Sequence, residues 1–417
     1  MRLFPGWQTD IRMGWRNVGR NPTRTILACF AIAIAQVTLI WINSFMNGDE
    51  AKIFETLTGP LLGHIQVHSP QYRDDEAIER DIPNATALAS GISEVPHVRG
   101  VSMRVYAPVL AALKEMGHVA KLTGMSIATE RKPGGVLEGL APDLVLMGSE
   151  ILVGKGLAAD MGVKPGDSIA LMGQAVDGSI ASGLYRVKAI IETPVDQINQ
   201  AGMIMDLPIS QDFLGMVDQV HEMVIRTDNR QFIPGVLSSL RNLPSLKPYE
   251  ILSWDQIVPN MATLLQMAGN INYLILVLVF LTTIAGVANT MMMATFERVH
   301  EFGMLLALGC NPSRLIRLLA IESLMLGLIG VAIGTAIGIA FTLYGVRNGI
   351  DLSALGGTSQ GANLTFEGMS LSMKIFPILK LKDIAGGVGA VCVTSVLASL
   401  WPARKISQLE TVEAMRT

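Results

Sequence analysis

Charge is scarce in this chain: only 16% of its 417 residues are Asp, Glu, Lys or Arg, and half are hydrophobic. A soluble globular protein carries about 25% charged residues. The deficit is concentrated in blocks, and about 20 apolar residues suffice to cross a bilayer, so a wholly soluble protein is excluded. Cysteine is scarcer still. There are three, Cys29, Cys310 and Cys392, and none lies between Asn47 and Gln266. That stretch of about 220 residues therefore has no disulfide and holds together through its own core.

Recognisable chemistry is missing as well. No Ser, Cys or carboxylate set has a catalytic context, and Asp74-Asp75-Glu76 reads as a solvated run. The stretch from Gly148 to Lys155 falls short of a phosphate-binding loop. Five residues separate Gly148 from Gly154 where four are needed, and Gly156 follows Lys155 where Ser or Thr would hold magnesium. It reads as a turn entering a helix, so no ATPase site is expected here. His64 and His68 share a strand face with Gln66 but lack a third ligand, and read as packed or surface histidines.

What is present is four apolar blocks, at residues 25–46, 271–294, 315–346 and 384–401. The third exceeds what a span needs, so it tilts or projects. The first is preceded by more than about 20 residues rich in Arg, too long for a signal n-region, and reads as an uncleaved anchor. Lys and Arg fix the orientation. Arg2, Arg12, Arg16, Arg20 and Arg24 precede the first block, Arg298, Arg314 and Arg317 lie between the second and third, and Arg404, Lys405 and Arg416 follow the fourth. Four spans put all three segments on the cytoplasmic side, outvoting Lys374, Lys380 and Lys382 in the outer loop. The large insertion then faces outward. It carries about 26 acidic against about 17 basic residues, which argues against nucleic-acid binding.

The fold class expected is a polytopic α-helical membrane protein with four transmembrane helices and an inserted α+β extracytoplasmic domain. Its parts are an interfacial helix (1–24), the first span (25–46), an outer domain with stalk (47–270), the second span (271–294) and an inner helix (295–314). The third span (315–346), an outer loop (347–383), the fourth span (384–401) and an inner tail (402–417) complete it. Trp7, Ile11, Trp15 and Val18 share one helical face ahead of the first span, as in a helix lying on the inner leaflet. A plain topology anchor and a partner-binding role both fit it. Asn21-Pro22 and Asn311-Pro312 open the first and third spans as N-cap and first helical residue. Gly327, Gly330, Gly334 and Gly338 form one stripe that lets another helix approach closely, in the same chain or another.

The segment from Glu297 to Cys310 is charged at its start and apolar at its end, as in a short amphipathic helix pressed on another protein. Here the chain resembles the FtsX-like permease family of ABC transporters. Glu297, Arg298, Glu301, Gly303, Leu305, Ala307, Leu308 and Gly309 match the family's post-helix motif. Trp401-Pro402-Ala403-Arg404-Lys405 with Val412-Glu413-Ala414 is similar to its closing motif, and Trp15-Arg16-Asn17 with Arg20-Asn21-Pro22 to its opening. Leu306 departs from a common basic residue and Thr411 from a common Pro. Residues 152–226 resemble the outer core shared by lipoprotein-releasing permeases and macrolide-type exporters, and residues 63–70 lean toward the former.

The resemblance implies a non-catalytic membrane subunit in a bacterial inner membrane, with its large domain in the periplasm. A separate cytoplasmic ATPase carries ATP and magnesium. Its dimerisation drives mechanotransmission through the inner helix, the stalks and the outer domain. Glu297, Arg298 and Glu301 would orient that ATPase, Phe302, Leu305 and Leu308 would supply buried contact, and Gly303 and Gly309 close approach. Further partners implied are a second permease copy or paralogue, membrane lipid, lipoprotein cargo and a periplasmic carrier or adaptor. The alternatives are a macrolide- or peptide-type exporter, a regulator of a cell-wall hydrolase or sensor that transports nothing, and an enzyme on a membrane anchor.

Overall fold

The structure is a computed structural model that describes residues 7–114, 116–141, 144–308, 310–352, 363–366, 369–372 and 374–407. Gly309, the loop residues 353–362 and the tail from 408 on, including Thr411 and Val412-Glu413-Ala414, lie outside them. Contacts divide the chain into two units. One is Met1–Glu50, Leu264–Leu352 and Lys374–Thr417; the other is Ala51–Thr263 with Ser353–Met373.

Among the described residues, four helices are long and apolar enough to cross a membrane. The helices that carry them run Pro22–Leu57, Pro259–Phe296, Pro312–Asn348 and Leu381–Ser407. Each starts or ends beyond its apolar block, because helical propensity continues past the point where hydropathy falls. The first continues past its apolar block to Leu57, and the second begins ahead of its own at Pro259. Asn311 caps the third, its side chain accepting from Ser313 N at 3.0 Å, with Pro312 next and Gly349 closing at φ 68°. At 1.5 Å per residue that helix is about 55 Å long, well beyond a bilayer core.

The glycine stripe lies within the chain's own packing. A Cβ on Gly330 would come within 2.8 Å of the Ile32 side chain, and one on Gly334 within 2.6 Å of the Ala33 carbonyl. Gly338 faces Val37 and Ile40, whereas Gly327 faces Ser395 of the fourth helix. The third helix therefore meets the first at near backbone contact, and the fourth on a neighbouring face. The second helix is different: only 6% of its apolar window is buried in the chain.

Among the described residues the other unit is built on a sheet of nine strands: β1 Ile65–His68, β2 Val98–Leu113, β3 Met116–Met125, β4 Glu150–Gly154, β5 Ser168–Gln174, β6 Ile180–Ile191, β7 Gly202–Asp206, β8 Glu222–Thr227 and β9 Glu250–Ser253. They pair in the order β3-β7-β4-β6-β5-β2-β8-β1-β9, and β3 also pairs with β2. The first six thus close into a ring, from which β8, β1 and β9 extend. The β3–β7 and β4–β6 pairs are parallel and the rest antiparallel. Strands β1 and β8 are buried at every residue, because both their faces are covered. The chain enters β1 straight from the end of the first long helix. It leaves β9 through a capping box, Ser253 with Gln256, shortly before the second long helix.

Candidate functional site

The inner helix is Val299–Ala307. Its apolar residues face two ways. Phe302 is 1% exposed and packs with Leu315 and Leu319 of the third membrane helix, with Leu305 partly buried beside them. Gly303 is buried too. The opposite side carries His300, Met304 and Leu308, four residues apart. Met304 is 45% exposed and Leu308 85%. The expectation that Phe302 supplies contact to a partner therefore gives way: its ring is already spent on the chain's own core. The outward side is shorter and includes Met304, which the motif did not mark. Gly309 lies outside the described residues.

The charged residues of the motif tie this helix to two other elements, the third membrane helix and the turn at Arg20. Arg298 Nε reaches Glu301 Oε2 at 3.1 Å and Arg298 Nη1 reaches Glu322 Oε2 at 3.1 Å. Asn17 Nδ2 donates to the same Glu322 oxygen at 3.2 Å, and Arg20 closes on Glu301 at 2.6 Å. The Arg298 guanidinium also sits 5.0 Å over the Phe302 ring. Partial burial alone would raise the Glu301 carboxyl, but the hydrogen bonds from Arg298 and Arg20 hold it below the usual carboxylate range. Glu322 stands inside the third apolar block, where it is the counter-ion that anchors Arg298. Glu297 is exposed at the junction.

A second set of charges escaped sequence reasoning. Asp10, 1% exposed, accepts from Arg314 at 3.2 Å and from Arg317 at 2.8 Å. This locks the surface helix Trp7–Val18 onto the start of the third membrane helix. The packed face of that helix is Asp10, Gly14 and Val18, while Ile11 and Trp15 stay exposed. The spacing of Asp10 from Gly14 and Val18 was the available signal, masked by the larger Trp and Ile side chains.

The histidines are packed. His64 Nδ1 lies 2.8 Å from Thr227 Oγ1, and His68 Nε2 lies 3.0 Å from Gln66 Oε1. Among the described residues no three His, Cys, Asp or Glu converge as for a metal ion. Lys155 opens a short helix after Gly154 and pairs with Glu192 at 2.8 Å.

Residues 273–411 match the family model for the FtsX-like permease C-terminal region. The ABC transporter permease YtrF of Bacillus subtilis is 32% identical over 138 residues, 31% of this chain and 28% of YtrF's own length. The lipoprotein-releasing system transmembrane protein LolE of Haemophilus influenzae is 22% identical over 98% of this chain and 99% of its own. The crystal structure of the periplasmic region of MacB from Actinobacillus actinomycetemcomitans covers 51% of this chain and 98% of its own, at 13% identity and a TM-score of 0.35.

Proposed function

We propose that this FtsX-like permease is the membrane subunit of an ABC transporter in a bacterial inner membrane, and that it releases lipoproteins by mechanotransmission. LolE supports the cargo class, because its similarity runs the length of both chains rather than through the permease region alone. A separate ATPase binds and hydrolyses ATP on the cytoplasmic side, with its magnesium. This chain holds no nucleotide, since the Gly148–Lys155 stretch lacks both the spacing and the hydroxyl of a phosphate loop. It acts with a second permease copy or paralogue, and a periplasmic carrier takes the cargo.

The observation that carries this reading is the two-sided inner helix. One side is welded to the third membrane helix by Phe302, Arg298 and Glu322, and the other offers Met304 and Leu308 to solvent. A helix that only bridged two spans would not need both. Glu297 and His300 flank the outward side and orient the ATPase, while the paired Arg298 and Glu301 keep the helix from swivelling. A push on Leu308 then moves the third helix rather than a loose loop.

Leu308→Asp tests this. The side chain is almost free in the unbound chain, so the substitution leaves the fold intact, whereas a docked Leu308 would be replaced by a desolvated charge. The expected result is loss of co-purification with the ATPase at an unchanged membrane-inserted level. Retention of the complex and its stimulated ATPase rate would remove the inner helix from the interface. Leu305→Asp is a poorer test, because Leu305 already packs inward.

A further inference from the structure

The first long helix does not fray where it reaches the outer domain; it ends in a buried charge cluster. Its last residues form a wide turn, Thr58–Leu62, whose terminal carbonyls have no partner inside the helix. Two guanidiniums take them. Arg104 of β2 donates through Nη1 to the Leu61 carbonyl at 2.6 Å and through Nη2 to that of Pro60 at 2.9 Å. Arg226 of β8 donates through Nε to the Gly59 carbonyl at 3.2 Å. One carboxylate holds both cations. Glu130 Oε1 accepts from Arg104 at 2.9 Å, and Oε2 accepts from Arg226 at 3.0 Å and from the Val136 amide at 3.0 Å. The Ser102 hydroxyl donates to it as well. Arg104 and Glu130 are both completely buried.

A buried ion cluster is weak evidence for stability, since apolar residues of similar volume fill such sites equally well. Holding one geometry is a better account of it. Cationic side chains at a helix C-terminus also meet the negative end of the helix dipole. Three consecutive carbonyls gripped by planar forks fix the helix end in rotation as well as in translation.

A second, independent contact acts one turn earlier. The Phe54 ring meets Trp254 edge-on at 5.3 Å and stacks on His64 at 5.5 Å. The Arg230 guanidinium lies 4.8 Å over Phe54 and 5.6 Å over Trp254. Trp254 opens the short helix that follows β9, and β9 pairs with β1, the strand into which the first helix runs. Both chain entries to the domain therefore converge on one joint.

The geometry points to Arg104, Glu130 and Arg226 as positioning residues that clamp the end of the first stalk to strands β2 and β8, so that stalk and sheet move as one body. The inference rests on the mechanotransmission reading. It adds the residues through which displacement enters the domain, and it has a readout that needs no ATPase.

The experiment uses the full chain with its three cysteines replaced (Cys29→Ala, Cys310→Ser, Cys392→Ala) and spin labels at Glu55→Cys on the stalk and Ser182→Cys on β6, both exposed positions. Double electron–electron resonance without nucleotide should give a single narrow distance. Arg104→Met/Glu130→Leu/Arg226→Met, which refills the site with apolar volume, should lose that single distance and give a spread. Should this variant fail to fold, Arg104→Lys decides: it retains one bond to Glu130 but cannot fork to both carbonyls, and should broaden the distribution less. A broad distribution in the parent chain overturns the clamp. So does an unchanged narrow one in whichever of these variants folds. A clamp that passes this test while the ATPase never alters anything outside would fail the transport reading alone.

Discussion

Glu130 carries the sharpest consequence at the scale of single residues. Burial alone would raise its carboxyl, but the Arg104 and Arg226 guanidiniums, with the bonds from Ser102 and Val136, hold it down at about 2 against an ordinary 4.5. Its folded value is lower than its unfolded one. The contribution is therefore complete above about pH 4.5 and is lost as pH falls toward about 2, a total of about 3 kcal/mol. Calorimetry of the solubilised chain should show the outer domain's melting temperature level above that window and falling within it. In Arg104→Met/Glu130→Leu/Arg226→Met the fall should shrink. An equal fall in both proteins would assign the acid sensitivity to other carboxylates.

Single residues are also where the sequence was least legible. Val105, Ala107, Val109 and Ala111 are buried and mark one face of β2, so alternation puts Arg104 on the outer face. It is buried because the stalk end covers that face, and nothing local in the sequence says so. Phe302 misled for a related reason. An apolar residue on an amphipathic helix announces that it will be covered, not by what. The third membrane helix lies close enough to cover it first. Glu322 falls within the third apolar block, and its partners Arg298 and Asn17 each stand in a motif. Their convergence needed three dimensions.

Elements were far more legible. Apolar runs of bilayer length and an Asn-Pro start dictate helices through local physics, and the structure has helices at all four runs. The glycine stripe was readable as a close-packing face, but not its occupant. The structure assigns Gly330, Gly334 and Gly338 to the first membrane helix and Gly327 to the fourth. A side chain on Gly334 would overlap the Ala33 backbone, so Gly334→Val should push the two helices apart. Overpacking of this kind costs about 1–3 kcal/mol or more. It should lower the thermal midpoint of the solubilised chain clearly. Gly386→Val is the control, since a Cβ there meets nothing within 4 Å. Equal midpoints for the two variants would mean the first and third helices do not pack as described. The inner ion network makes a further case. Arg298→Leu leaves Glu322 with Asn17 and no cation, and Glu301 with Arg20 alone, so it should weaken ATPase stimulation even though Arg298 itself is only 17% exposed. Full stimulation in that variant would show the brace to be dispensable.

On the scale of the whole molecule, charge placement sets the expected orientation. A reporter active only in the cytoplasm should work when fused after Thr417 or near Cys310, and stay silent near Gly178, at the exposed β5–β6 turn. A signal from Gly178 would overturn the four-span arrangement. Among the described residues the four apolar runs hold few charges, and Glu322 is paired. Work outside without passage through is the central claim. It is tested most directly by reconstituting the chain, alone or with a paralogue, and the ATPase in nanodiscs bearing a lipid-modified protein. Appearance of that protein in the soluble fraction with an excess of periplasmic carrier is then measured. The account predicts release that requires ATP hydrolysis and is lost in Leu308→Asp. Release that proceeds equally without ATP, or vigorous ATP hydrolysis that leaves the lipoprotein in the bilayer, would contradict it.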